Sequence, residues 1–132
     1  MQVFHASYAT LTLESSLHEH AIRVTWHQNF STAWYQNVMA CIMHLFQEHT
    51  VFSAIVLDLT SIQSIPRQSL AWTKDHVIPK LKGQLSQVYL QVRREQSGSP
   101  LCLQISDTYE PAGILVSTMY EHQSLEQASI ML

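Results

Sequence analysis

Charged side chains are scarce in this 132-residue chain: Asp, Glu, Lys and Arg make up 13% of it, about half the ~25% usual in globular proteins. Gln, Ser, Thr and His stand in their place. A surface so poor in charge resists association weakly, which predicts burial of part of it in a homodimer or under a protein partner. The net charge is −3 and Arg93-Arg94 is too short to form a patch, so there is no electrostatic footprint for nucleic acid or anionic lipid. Glycine is rarer still. Three residues leave little from which to build a phosphate cradle, and no G-x-S-x-G elbow, Walker loop or G-x-G-x-x-G is present. The two cysteines, Cys41 and Cys102, fall far apart in segments that read as helical, which predicts reduced thiols rather than a disulfide. No run approaches the ~18–20 apolar residues of a membrane span. The start, MQVFHASYATL, has neither the basic end nor the apolar stretch of a signal peptide. These absences predict a cytoplasmic protein with no membrane span.

What is present is a chain 46% hydrophobic, of a length that suits one domain over 1–132. Its most informative stretch is Phe52 to Leu81. The apolar run Ala54-Ile55-Val56-Leu57 stops at Asp58, and after a polar link a helix follows that Pro79 ends. A strand apolar on both faces followed by a helix is the pattern of a buried parallel strand and its crossover.

Around it, Tyr8 to Leu13 and Ala21 to Trp26 alternate as two strands of an antiparallel hairpin, with Ile22, Val24 and Trp26 on one side. Asn29 or Ser31 can cap a helix over Thr32 to Glu48, whose Tyr35, Val38, Met39, Ile42, Leu45 and Phe46 recur at steps of three and four. Strand three spans Ser53 to Leu59, and helix two runs from Pro66 or Arg67 to His76. Strand four spans Gln87 to Arg93, with Val88, Leu90 and Val92 on one face. A short helix from Leu101 to Thr108 and strand five, Ile114 to Tyr120, complete the alternation. Ser124 and Gln127 form a capping box opening a helix through Leu132. The expected fold is α/β: one five-stranded, mostly parallel sheet with an N-terminal antiparallel hairpin, covered by about four helices.

The strand ending Leu57-Asp58, the Ile65-Pro66 turn, Trp72 in the helix, Ile78-Pro79 after it, Trp26 in the preceding strand and the closing Ser124-Leu125-Glu126-Gln127-Ala128 together resemble the STAS fold of anti-sigma-factor antagonists. They resemble more closely small, uncharacterised bacterial proteins of the related SpoIIAA-like group, which includes the lipid-carrying Sec14 type. The resemblance covers nearly the whole chain. It implies a regulatory or protein-binding role, with the surface at Trp34, Tyr35, Pro66, Ser69 and Trp72 as the candidate contact. It departs from the family at one point. STAS switches carry an Asp-Ser-Ser-Gly-like turn whose serine is phosphorylated, whereas this chain has Ile65-Pro66-Arg67-Gln68-Ser69-Leu70. Ser64 and Ser69 are the only hydroxyls nearby, and Ser69 falls inside the first helical turn. Ser64 or Ser61 is expected to satisfy backbone amides at the turn.

The remaining chemical signals are weak. His18-Glu19-His20 puts two imidazoles on one face of a strand, without a third ligand. His44 and His49 are spaced for different faces of a helix. Asp58, at a strand C-terminus, occupies the position where general acids and bases line ligand crevices, but an acid there also holds turn amides. Cys41, in an apolar helix, is expected to be an inert thiol. Trp34 and Tyr35 with Met39 and Met43 can rim a dimer surface or an apolar pocket. The sequence therefore predicts a non-enzymatic interaction domain lacking the phosphoswitch, with no catalytic residues, no metal and no cofactor. Asp58 and Ser64 are its turn or ligand-crevice candidates. The alternative is a small apolar-ligand carrier of the Sec14 kind, which requires an internal cavity of several hundred Å³.

Overall fold

A computed structural model describes residues 1–130. The alternating segments form the strands expected of them: β2 (Ala9–Ser15) and β3 (His20–Trp26) pair antiparallel, with Leu11 opposite Val24 and Leu13 opposite Ile22. β4 (Phe52–Asp58), β5 (Gln87–Val92) and β6 (Leu115–Tyr120) then add in parallel. A further strand, β1 (Gln2–His5), pairs antiparallel with β2. The sheet has six strands rather than five, and it is mixed rather than mostly parallel. β1 escapes a periodicity search because it is four residues long, lies at an edge and has an irregular register between Gln2 and Phe4, so no alternation marks it.

Strand order in the sheet equals strand order in the chain. Right-handed crossovers that all step the same way must place their helices on one face. That face carries α1 (Thr32–Glu48), the pair α2 (Arg67–Trp72) and α3 (Ile78–Leu81), and α4 (Pro100–Tyr109). Ile22, Val24, Trp26, Ile55, Leu57, Val88, Leu90 and Val92 meet Val38, Met39, Ile42, Phe46, Val77, Leu81 and Ile105 there in one buried cluster. Ser31 caps α1, its Oγ accepting from the Trp34 amide.

Pro79 does not end its helix. Between α2 and α3 the residues Thr73–Val77 form a π-turn, in which the Ile78 amide reaches back to the Thr73 carbonyl. In α geometry the Pro79 ring would meet the carbonyl four residues earlier. Widening the preceding turn moves that carbonyl aside, and the chain continues helically to Leu81.

Among the described residues the opposite face is covered by α5 (Leu125–Ile130), and 131–132, the expected end of that helix, lie outside them. The Ser124–Gln127 capping box is present, each backbone amide donating to the other's side chain at 3.0 and 3.2 Å. Ala21 and Ala54 sit side by side in register, both fully buried. Their small side chains leave the space into which Leu125 and Ala128 settle, beside Val56, Tyr89 and Met119.

Candidate interaction surface

The aromatic residues singled out in the sequence lie around the first turn of α1, in two groups. On the β2 side Trp34 stacks on Tyr8, ring centroids 4.5 Å apart, and stays 37% exposed. On the other side Tyr35 stacks with Trp26 and Phe30 and meets the half-buried Trp72 edge-on at 6.4 Å. Trp34 and Trp72 are therefore surface or near-surface groups, while Tyr35, 4% exposed, is core. The reason is the helical period: neighbouring residues point about 100° apart, so Trp34 and Tyr35 cannot share a face. Burial pushes the Tyr35 phenol up to about 12, against the hydrogen bond at 2.5 Å that it shares with the Thr73 hydroxyl. Tyr109, also buried, is raised well above its ordinary value by desolvation, with the Tyr35 hydroxyl beside it adding to the effect.

Ser69 is likewise core rather than surface. It is fully buried, and its Oγ donates to Thr32 Oγ1 at 3.2 Å, tying the first turn of α2 to that of α1. Pro66 is half-buried ahead of α2, and Ser64 is exposed.

Ser64 belongs to a loop braced from several sides. Asp58 Oδ1 accepts from the Thr60 amide at 3.1 Å and from the Thr60 hydroxyl at 2.6 Å, so the acid holds the turn. Asn29, in the loop after β3, accepts from the Gln63 amide at 3.3 Å. Gln96, after β5, donates to the Leu59 and Ile62 carbonyls at 2.9 and 3.2 Å. The turn amides are thus held by Asp58 and Asn29 instead of Ser61 or Ser64. Leu59, Ile62 and Ile65 are buried beneath, and Ser61, Gln63 and Ser64 are exposed at the tip.

Sequence reasoning missed a polar network on the sheet face that α5 covers. Arg23 donates to Glu14 and to Gln91 Oε1, and its guanidinium lies 4.0 Å from Asp58 Oδ2. Arg23 and Asp58 side chains are only 16% and 18% exposed. Tyr89 donates to Glu19 at 2.6 Å, and Gln87 to Ser117 at 3.0 Å. Burial, with the Glu19 hydrogen bond and charge added, holds the Tyr89 phenol above its ordinary range. The signal was the alternation Gln87, Tyr89, Gln91 between three valine or leucine positions: polar groups on a strand buried on both faces require partners.

Two open depressions flank these faces. One of about 310 Å³ is lined by Glu14, Ser15, Arg23, Ser124, Leu125 and Glu126. The other, of about 330 Å³, lies between the β1–β2 edge and α1, with Val3, Leu11, Ala40, Cys41, His44 and Leu45 around it. Cys41 is half-exposed there, packed against the margin of the core beside the β1–β2 edge rather than sealed within it. His44 pairs with Glu48 at 3.0 Å in solvent, and His18 and His20 are exposed.

Comparison of the sequence with known families gives no match, and comparison with curated proteins gives none. Among solved structures the chain is similar to an uncharacterised protein of the DUF3478 family from Shewanella loihica PV-4, described as having a SpoIIAA-like fold. The two share 9% identity over 94% of each chain, with a TM-score of 0.61. The fold is SpoIIAA-like. A SpoIIAA-like sheet whose parallel crossovers all step one way has no point where neighbouring helices part to opposite faces, and that parting is what opens a ligand crevice at strand C-termini in doubly wound sheets. Asp58 faces Arg23 and its own turn. Among the described residues, no helix is long and apolar enough to cross a membrane.

Proposed function

We propose that this chain is a cytoplasmic, non-enzymatic regulatory or protein-interaction domain that works without a phosphoswitch. The observation that carries the reading is the braced loop Leu59–Ile65, which presents Ser61, Gln63 and Ser64 from a backbone held by Asp58, Asn29 and Gln96. A surface that keeps its shape before contact binds without first ordering itself, which favours affinity. Beyond this loop, Trp34 supplies an exposed aromatic anchor of the kind that dominates interfaces. The burial of Ser69 supports the loss of the phosphoswitch, since a kinase cannot reach a hydroxyl under the α1–α2 contact. Free thiols at Cys41 and Cys102 agree with a reducing compartment.

A second reading has one observation in its favour. The depression beside Cys41 is apolar-lined and of a size that small-molecule sites have, so a small apolar ligand would bind there, at the surface rather than inside the core. Size exclusion with light scattering, and native mass spectrometry on the same peak, separates the two. The first reading predicts a dimer or a stoichiometric protein complex without an adduct. A monomer carrying a small apolar adduct contradicts it and moves function to the groove.

A further inference from the structure

Thr10 of β2 stands between two imidazoles. His5 lies directly opposite it in β1, and Thr25 directly opposite it in β3. Leu11 and Val24 belong to the helix-side cluster, so their neighbours Thr10 and Thr25 point to the other face of the sheet. His27, two residues past Thr25, returns to that face, its own amide held by the Tyr8 carbonyl at 2.9 Å. His5 Nδ1 then lies 2.9 Å and His27 Nε2 2.7 Å from Thr10 Oγ1, with the rings edge-on and their centroids 6.2 Å apart. One nitrogen of each ring is thus aimed at the same point. No local spacing announces the pair, because the register of β1 and β3 on β2 makes it.

We propose that His5 and His27 form a binding site for a divalent transition-metal ion of the zinc, nickel and copper class, which ties β1 across β2 to the end of β3. The donor set selects the ion. Imidazole suits these metals, whereas calcium and magnesium take oxygen ligands. A hydroxyl has one proton and donates to only one of the two nitrogens, so the other ring presents an N–H to Oγ1. Both histidines are exposed, so moving that proton to the outer ring nitrogen is easy, and both lone pairs then face the gap. At ordinary hydrogen-bond angles the two nitrogens stand roughly 5 Å apart. Small rotations of two exposed side chains bring each to the zinc–nitrogen distance of about 2.0–2.1 Å. Among the described residues no group of three His, Cys, Asp or Glu converges on one ion, so the Thr10 hydroxyl or water takes the remaining positions. The strand held in this way is the shortest of the sheet, four residues with an irregular register between Gln2 and Phe4. The site does not involve the braced loop, and its loss leaves the interaction reading standing.

Zinc chloride titrated into the full chain by isothermal calorimetry should give one ion per chain. His5→Ala and His27→Ala should each weaken binding at least ~10-fold, since loss of even an outer partner of a metal ligand costs about 10–100-fold. His18→Ala/His20→Ala, which removes the other closely spaced pair, should leave it unchanged. Both His5 and His27 are exposed, so their variants should keep the far-ultraviolet circular dichroism of the parent. Bridging has a readout of its own: zinc should slow amide exchange in β1, and His27→Ala, a change outside β1, should abolish the slowing. Absence of zinc binding overturns the proposal. So does binding that survives both single variants, that is lost with His18 and His20, or that spreads over several histidines without saturating at one ion. Bound zinc that leaves β1 exchange unchanged overturns the bridge.

Discussion

All six residues of β5 are buried, but by different means on its two sides. Val88, Leu90 and Val92 face α1 to α4 and belong to a large continuous apolar cluster. Gln87, Tyr89 and Gln91 face α5, and two of the three are polar groups kept from water by hydrogen bonds to Ser117, Arg23 and Glu121. Equal burial therefore does not mean equal contribution. The helix face is held by shape and apolar area, which fail only together. The α5 face is held by pairings and, among the described side chains, by Leu125 and Ala128 of a short helix, which can fail separately.

The largest effect expected is on the helix face. Trp26 is 1% exposed and stacks on Phe30 at 4.1 Å. Trp26→Ala should cost about 3–5 kcal/mol in urea unfolding, as deletions of large buried aromatics do. On the α5 face, Arg23→Ala leaves Glu14 and Asp58 partly buried without their cation. The expected cost is about 1–3 kcal/mol, and Arg23→Ala with Glu14→Ala should cost less than the sum of the two. Additivity would mean the network is idle.

Alkaline pH probes both faces at once. Tyr35 and Tyr109 on the helix side and Tyr89 on the α5 side all have raised phenol pKa values. The fold then holds these protons more tightly than the unfolded chain, so their contribution is complete below pH ~10 and is lost as pH rises toward about 12 and beyond. Each pH unit in that window should remove roughly 1.4 kcal/mol per phenol still protonated in the fold. In a Tyr8→Phe/Tyr120→Phe background, which removes the two half-exposed phenols, unfolding and the rise in phenolate absorbance should coincide. Phenolate appearing there before the fold is lost would contradict the burial.

A matched pair of leucines sharpens the contrast most. Leu57 and Leu125 are both leucines, 5% and 4% exposed. Leu57→Ala should cost about 2–5 kcal/mol. Leu125→Ala should cost no more than about 1.5–3 kcal/mol, the worth of burying that one side chain, because α5 can undock and end the penalty there.

The same contrast explains what the sequence reveals. Period-two alternation in Ala21–Trp26 and the apolar run before Asp58 report how side chains meet a common core, and β2 to β6 and α1 follow from them. β1 is too short and too exposed to carry such a pattern. The helix past Pro79 depends on a π-turn that no residue type announces. At the surface, Ser64 stands exposed as its residue type suggests, and Trp34 stands exposed although tryptophan is mostly a core residue. The burial of Tyr35 and Ser69 follows from where α1 and α2 touch, and that is a tertiary fact. The Arg23 network joins β2, β3, β4 and β5, and its partners are up to 68 residues apart, beyond the reach of any local pattern.

Hydrogen exchange under native conditions tests the difference between the faces most directly. Amides of β4 and β5 should exchange only through global unfolding, and those of α5 through a local opening roughly 2 kcal/mol or more easier. If α5 amides instead exchange with the same free energy as β4 and β5, the cover is part of one cooperative core and the separation of the two faces is wrong.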